Sequence, residues 1–154
     1  MGFLNEERKT ALVEKLCALS MPESLAGWFA SWPDDHATLD AQLTAAVENC
    51  IKWCQDYTDL EEDAPPEAAT ALVQFTLADL VIMDVYSDEI KERGLNGPEN
   101  FPVFNKAIRE NMAKLDGMAA ALSGNHRVQK IDFDVLAKAA EVGLRMPQAK
   151  QTLH

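Results

Sequence analysis

Residues 66–94 read PEAATALVQFTLADLVIMDVYSDEIKERG, and their spacing decides the fold class. Leu72, Phe75, Leu80, Met83, Tyr86 and Ile90 recur at helical intervals. Pro65 and Pro66 suit a helical first turn, where the missing N–H costs nothing, and Gly94 fits the left-handed position that closes a helix. The Leu80–Met83 patch is apolar almost all round, so the middle of this helix is expected to be buried on more than one side.

Downstream, Asn96-Gly97-Pro98 marks a turn, and Asn100 is the expected cap of a helix over 102–122. Phe104, Ile108, Met112, Leu115, Met118, Ala119 and Leu122 share one of its faces, and Gly124 ends it. A weaker helical segment follows near 132–144 before Met146-Pro147. Upstream, Asp59–Pro66 forms an acidic connector. Before it, Leu39, Leu43, Ala46, Val47, Cys50, Cys54 and Tyr57 make an apolar stripe over 36–57, capped by Asp34 or Asp35. Pro22 and Pro33 bracket a short aromatic helix carrying Leu25, Trp28, Phe29 and Trp32. Asn5 caps a first helix built on Leu12, Leu16 and Leu19. Strand-like alternation and internal repeats are absent. The expected fold is all-α, with five to six helices around a long antiparallel hairpin of 66–94 and 102–122.

The chain has 154 residues, enough for one domain, within which the helices of 1–60 can form a semi-independent subdomain and 125–154 a basic C-terminal segment. At 47% hydrophobic it can build a core, and seven Gly and seven Pro are too few for a linker-rich chain. The start does not resemble a signal peptide and no run reaches a membrane-span length of about 18 apolar residues, so neither secretion nor membrane insertion is expected. Three cysteines argue against a disulfide framework.

Charge is uneven. Residues 1–50 carry three basic and eight acidic groups (−5), 51–100 three and twelve (−9), and 101–154 eight and five (+3), for a total of −11. Only the last third is able to approach a phosphate backbone.

No local motif of catalysis is present: no nucleophile elbow, no phosphate-cradling glycine loop, no zinc-protease signature. Cys50 and Cys54 stand one helical turn apart but lack a second ligand pair, so they read as small apolar side chains in a helix seam. Asp34-Asp35-His36 reads as a helix cap. Asp56, Asp59, Glu61, Glu62 and Asp63 read as a solvated acidic face without the spacing of a calcium loop, and Glu89 with Glu92 lacks a partner carboxylate pair for magnesium. The Trp-bearing second helix reads as core. No metal or cofactor is expected. The segment Ser123–Lys130 carries His126, Arg127 and Lys130 beside Arg109 and Lys114 of the preceding helix. These cations either meet a phosphate or an acidic partner, or simply complement the helix end.

The run from about 68 to 130 resembles the small terminase subunits of tailed bacteriophages. The residues that carry this are Asp88-Glu-Ile-Lys-Glu-Arg-Gly94-Leu95, the Asn96-Gly-Pro loop, Phe101-Pro102 and Asn105 opening a second long helix, then Ala121-Leu122-Ser-Gly124 and His126-Arg127. The resemblance implies a non-catalytic subunit of a genome-packaging motor in the cytoplasm of an infected bacterium. Its partners would be double-stranded viral DNA, the large ATPase/nuclease subunit and further copies of itself. It implies that Leu80, Met83, Tyr86, Phe104 and Ile108 serve ring assembly, and that Arg109, Lys114, His126, Arg127 and Lys130 meet DNA. The acidic first hundred residues suit another role as well: a protein-binding inhibitor that occupies a basic nucleic-acid groove of a host factor, with Asp56, Asp59, Glu61, Glu62 and Asp63 facing the partner.

Overall fold

The computed structural model describes residues 2–124, with side chains except those of Met112 and 116–124. The chain is all-α. Five helices follow in order among the described residues: α1 (Glu6–Ala18), α2 (Glu23–Ala30), α3 (His36–Thr58), α4 (Pro66–Glu92) and α5 (Pro102–Gly124). The segment expected near 132–144, and His126, Arg127 and Lys130, lie outside the described residues.

Local signals set most of the boundaries. The Asn5 side chain accepts the Arg8 N–H at 2.8 Å and opens α1. Ser20, at φ 69°, turns the chain out of α1 before Pro22. Pro66 occupies the first turn of α4, and Gly94, at φ 71°, ends it as expected. Asn100 does not cap α5. That role falls to Asp40 on α3, whose carboxylate accepts the backbone N–H groups of Val103 at 3.2 Å and Phe104 at 2.8 Å.

This cap changes the architecture. The described residues do not form an antiparallel hairpin of α4 and α5. Instead α3 is the central element, packing along α4 on one side and against α5 on another. Asp40 and the buried rings of Phe101 and Phe104 hold the start of α5 on α3. Helix α1 lies on α4 and α2 lies on α1. One apolar cluster runs from Phe3 and Leu12 through Leu39, Val47 and Ile82 to Phe104 and Leu115, so all five helices share it.

Helix α4 is long and apolar enough to cross a membrane by length and composition, yet the fold covers much of it. Its buried side chains include Thr70, Gln74, Thr76, Asp79 and Glu89. The Thr70 and Thr76 hydroxyls satisfy themselves on the carbonyls one turn back. Gln74 is fully buried, and neither of its side-chain polar atoms has a hydrogen-bond partner among the described residues.

The chain before α1 straps onto the far end of α4. Phe3 is fully buried between Tyr86 and Phe101, its N–H donates to the Trp32 carbonyl at 2.9 Å, and the Arg93 guanidinium sits over its ring at 4.2 Å. The Asn5 N–H donates to Glu89 Oε1 at 3.0 Å.

Candidate functional site

Helix α2 leans on α1 rather than lying along α3. It is pinned to α4 by its aromatic end: the Trp32 ring stacks on Tyr86 at 4.9 Å, and the Tyr86 hydroxyl donates to the Phe29 carbonyl at 2.5 Å. The offset leaves a half-open groove of about 510 Å³ between α2, α3 and α4. One wall is the α2 cluster of Trp28, Phe29 and Trp32, packed edge to face. The opposite wall is Trp53 of α3 stacked on Phe75 of α4 at 5.1 Å. Ala45, Ala46 and Ala78 supply small side chains between them.

All three tryptophans of the chain therefore line one groove. Trp32 belongs to the core, as the aromatic spacing led one to expect, but Trp28 does not: it is 53% exposed. Sequence reasoning placed the whole stripe inside, because periodicity reports a face and not what covers it.

Asp79 is the ionisable group of the groove wall. Burial pushes its carboxyl up to about 8, with a partial offset from the hydrogen bond to Trp53. At neutral pH this group is mostly a carboxylic acid.

The other titratable clusters are structural. Arg8 pairs with Glu89 at 3.4 Å and with Glu92, while Arg93 pairs with Glu89 at 3.1 Å and with Asp34 at 3.4 Å. Glu89 and Glu92 thus clamp arginines. Burial alone would raise the Glu89 carboxyl, but the Asn5 N–H and the guanidiniums of Arg93 and Arg8 outweigh it and hold it below the usual range. Asp35 stands at the cap position of α3 without a side-chain cap hydrogen bond, and the Thr38 hydroxyl donates to its carboxylate and holds it low. The His36 ring packs 5.0 Å from Phe101. Among the described residues no group of three His, Cys, Asp or Glu side chains is placed to hold a metal ion. Cys50 and Cys54 are buried, and desolvation pushes the Cys50 thiol up to about 12, far from a reactive thiolate.

Of the residues implied for DNA, Arg109 and Lys114 are exposed on α5. Of those implied for assembly, Met83, Tyr86 and Phe104 are buried in the core of the single chain, with Leu80 and Ile108 half-buried against it. The acids Asp59, Glu61, Glu62 and Asp63 are exposed at the α3–α4 connector, and Asp56 is half-buried on the last turns of α3. Compared with family models, curated proteins and solved structures, this chain matches nothing.

Proposed function

We propose that this chain is a non-catalytic DNA-recognition and assembly subunit of a viral genome-packaging motor, of the small-terminase kind. The observation that carries the reading is the passage from α4 to α5. A long helix closes on left-handed Gly94, a turn follows, and a Pro102-led helix presents Arg109 and Lys114 to solvent. With the exposed Lys106 they make three cations on one helix, partly offset by the exposed Glu110, and contribute a salt-dependent attraction to phosphates, which repetition around a ring multiplies.

The test is absolute mass by light scattering at physiological salt, followed by retention of double-stranded DNA. A closed assembly of many subunits is expected, with DNA retention that falls several-fold in Arg109→Glu/Lys114→Glu while the mass is unchanged. A monomer that ignores DNA at low salt would overturn the reading.

Charge favours a second reading, an acidic inhibitor of a basic protein. Residues 2–124 carry nine Lys and Arg against 22 Asp and Glu, a balance of −13, which repels phosphate and attracts cationic surfaces. On this reading the chain is a monomer or dimer that competes with nucleic acid for a basic protein.

A further inference from the structure

The aromatic groove has no part in the packaging reading, and its chemistry is specific enough to name an occupant. Its surface is rich in rings: half of Trp28 is exposed, and Trp53 and Phe29 are partly so. Exposed indole and phenyl faces set around alanines are the composition of a protein contact rather than of an idle surface.

The surroundings decide the sign of the partner. Glu23 stands at the start of α2, two residues before Leu25 of the groove, and Glu48 precedes the lining residue Asn49. Both are exposed. Asp56 lies one turn beyond Trp53. Asp59, six residues past Trp53 and so roughly 9 Å along the axis at about 1.5 Å of rise per residue, follows the end of α3 and opens the acidic connector. The nearest cation, Lys52, is already engaged, lying over the Trp53 ring at 4.7 Å and paired with Asp56 at 3.5 Å. The Arg8 and Arg93 guanidiniums are held at the other end of α4 by Glu89, Glu92 and Asp34. The groove is mostly apolar, with Gln42, Asn49 and the Asp79 carboxyl among its lining, and exposed acids neighbour its lining residues along α2 and α3.

The backbone of the occupant follows from what the walls lack. The groove is built from helix side chains, and no named strand edge borders it among the described residues. A guest must therefore satisfy its own backbone N–H and C=O groups as it enters, which an α-helix does and an extended peptide does not. The small side chains of Ala45, Ala46 and Ala78 leave room for large apolar side chains between the aromatic walls.

We infer that the groove between α2, α3 and α4 docks a basic amphipathic helix of a partner protein, its apolar face against Trp28, Trp53 and Phe75 and its Lys and Arg side chains toward Glu23, Glu48, Asp56 and the α3–α4 connector. The inference is independent of the packaging reading, since it uses neither α5 nor DNA.

The probe is a synthetic 18-residue peptide with Leu at helical spacing along one face and Lys elsewhere, titrated into the full chain at physiological salt. Two control peptides accompany it: one of the same composition with the apolar residues scattered around the helix, and one with Lys replaced by Glu. Because every tryptophan lines the groove, intrinsic fluorescence reports on it directly, and calorimetry gives the stoichiometry. One peptide per chain is expected, with a fluorescence change, at least tenfold tighter than either control.

Ala45→Trp fills the groove from a half-buried position and is expected to weaken the peptide at least tenfold, and Trp28→Ala to weaken it several-fold. Circular dichroism and melting temperature are checked for both variants. Glu23→Lys/Glu48→Lys, both exposed, leaves the fold intact and is expected to weaken binding several-fold, more at low salt than at high. Equal binding of the scattered peptide would mean charge alone at work and would overturn the inference. So would unchanged affinity in folded Ala45→Trp, or a fall in the mass of the free protein on that substitution, which would assign the groove to a second copy of the chain.

Discussion

Asp40 reaches from the second turn of α3 to the first turn of α5, where its Oδ1 accepts the Phe104 N–H at 2.8 Å. A carboxylate at that place satisfies two orphan amides and lies at the positive end of the helix dipole. It does so across 64 positions of sequence, so the start of one helix is fixed by the side chain of another.

Removing this contact tests the arrangement. Asp40→Ala leaves two amides unpaired and is expected to cost about 1–3 kcal/mol in urea unfolding. Hydrogen exchange at Val103 and Phe104 should accelerate more than exchange in α1. Asp40→Asn keeps a neutral acceptor and should lose less. Equal exchange across the chain in folded Asp40→Ala would mean that the Phe101 and Phe104 rings, not the cap, hold α5.

Asp79 makes stability fall as pH rises. Its carboxyl, at about 8 in the fold and near 3.8 unfolded, keeps a proton in the native state that the unfolded chain has already released. Stability therefore declines from about pH 4 to pH 8. Asp79→Asn, which still accepts from the Trp53 indole, is expected to match the parent near pH 4 and exceed it by on the order of 5 kcal/mol at pH 9. Urea midpoints at the two pH values provide the check. A constant difference would show that the effect is not titration of this group.

Glu89 acts with the opposite sign. Its carboxyl is held low in the fold, so the stability that it contributes is present above its unfolded value and is lost as pH falls through the folded one. Glu89→Gln is expected to cost roughly 1–3 kcal/mol at pH 7 and to flatten the acid limb of a pH–stability curve. A parallel curve, merely displaced, would place the acid sensitivity elsewhere.

Gln74 is a buried amide without a partner for either polar atom among the described residues. Gln74→Met keeps the length of the side chain and removes the unmet desolvation, so it is expected to raise stability by about 1–2 kcal/mol in thermal or urea unfolding. A loss would indicate that the site prefers the amide for packing.

Much of this fold was legible in the sequence because its helix ends carry local chemistry. Asn5, Pro22, Pro66, Gly94 and Pro102 act on their own few residues, and each element they bound is where their spacing puts it. What was illegible depends on partners far away. Asp40 looks like any polar residue early in a helix until Phe104 comes within reach, and Asn100, a good cap by composition, is passed over. The expected hairpin of α4 and α5 failed in the same way, since nothing in the 93–101 connector shows that α3 holds the start of α5. The groove was hidden for the same reason. Periodicity marks Trp28, Phe29 and Trp32 as a face, whereas the contact that seats this face comes from Tyr86, 57 positions from its acceptor at Phe29, and leaves Trp28 half in water.

The strap of Phe3 and Asn5 on Glu89 and Arg93 has a cost in time. It closes a loop of 84 to 90 positions, while the α3–α4 pair closes across a connector of only a few residues. Loop-closure entropy is about 4 kcal/mol for the first and about 2 kcal/mol for the second, apart from a constant common to both. A closure of that span slows folding more than the local pairing of α3 and α4 does.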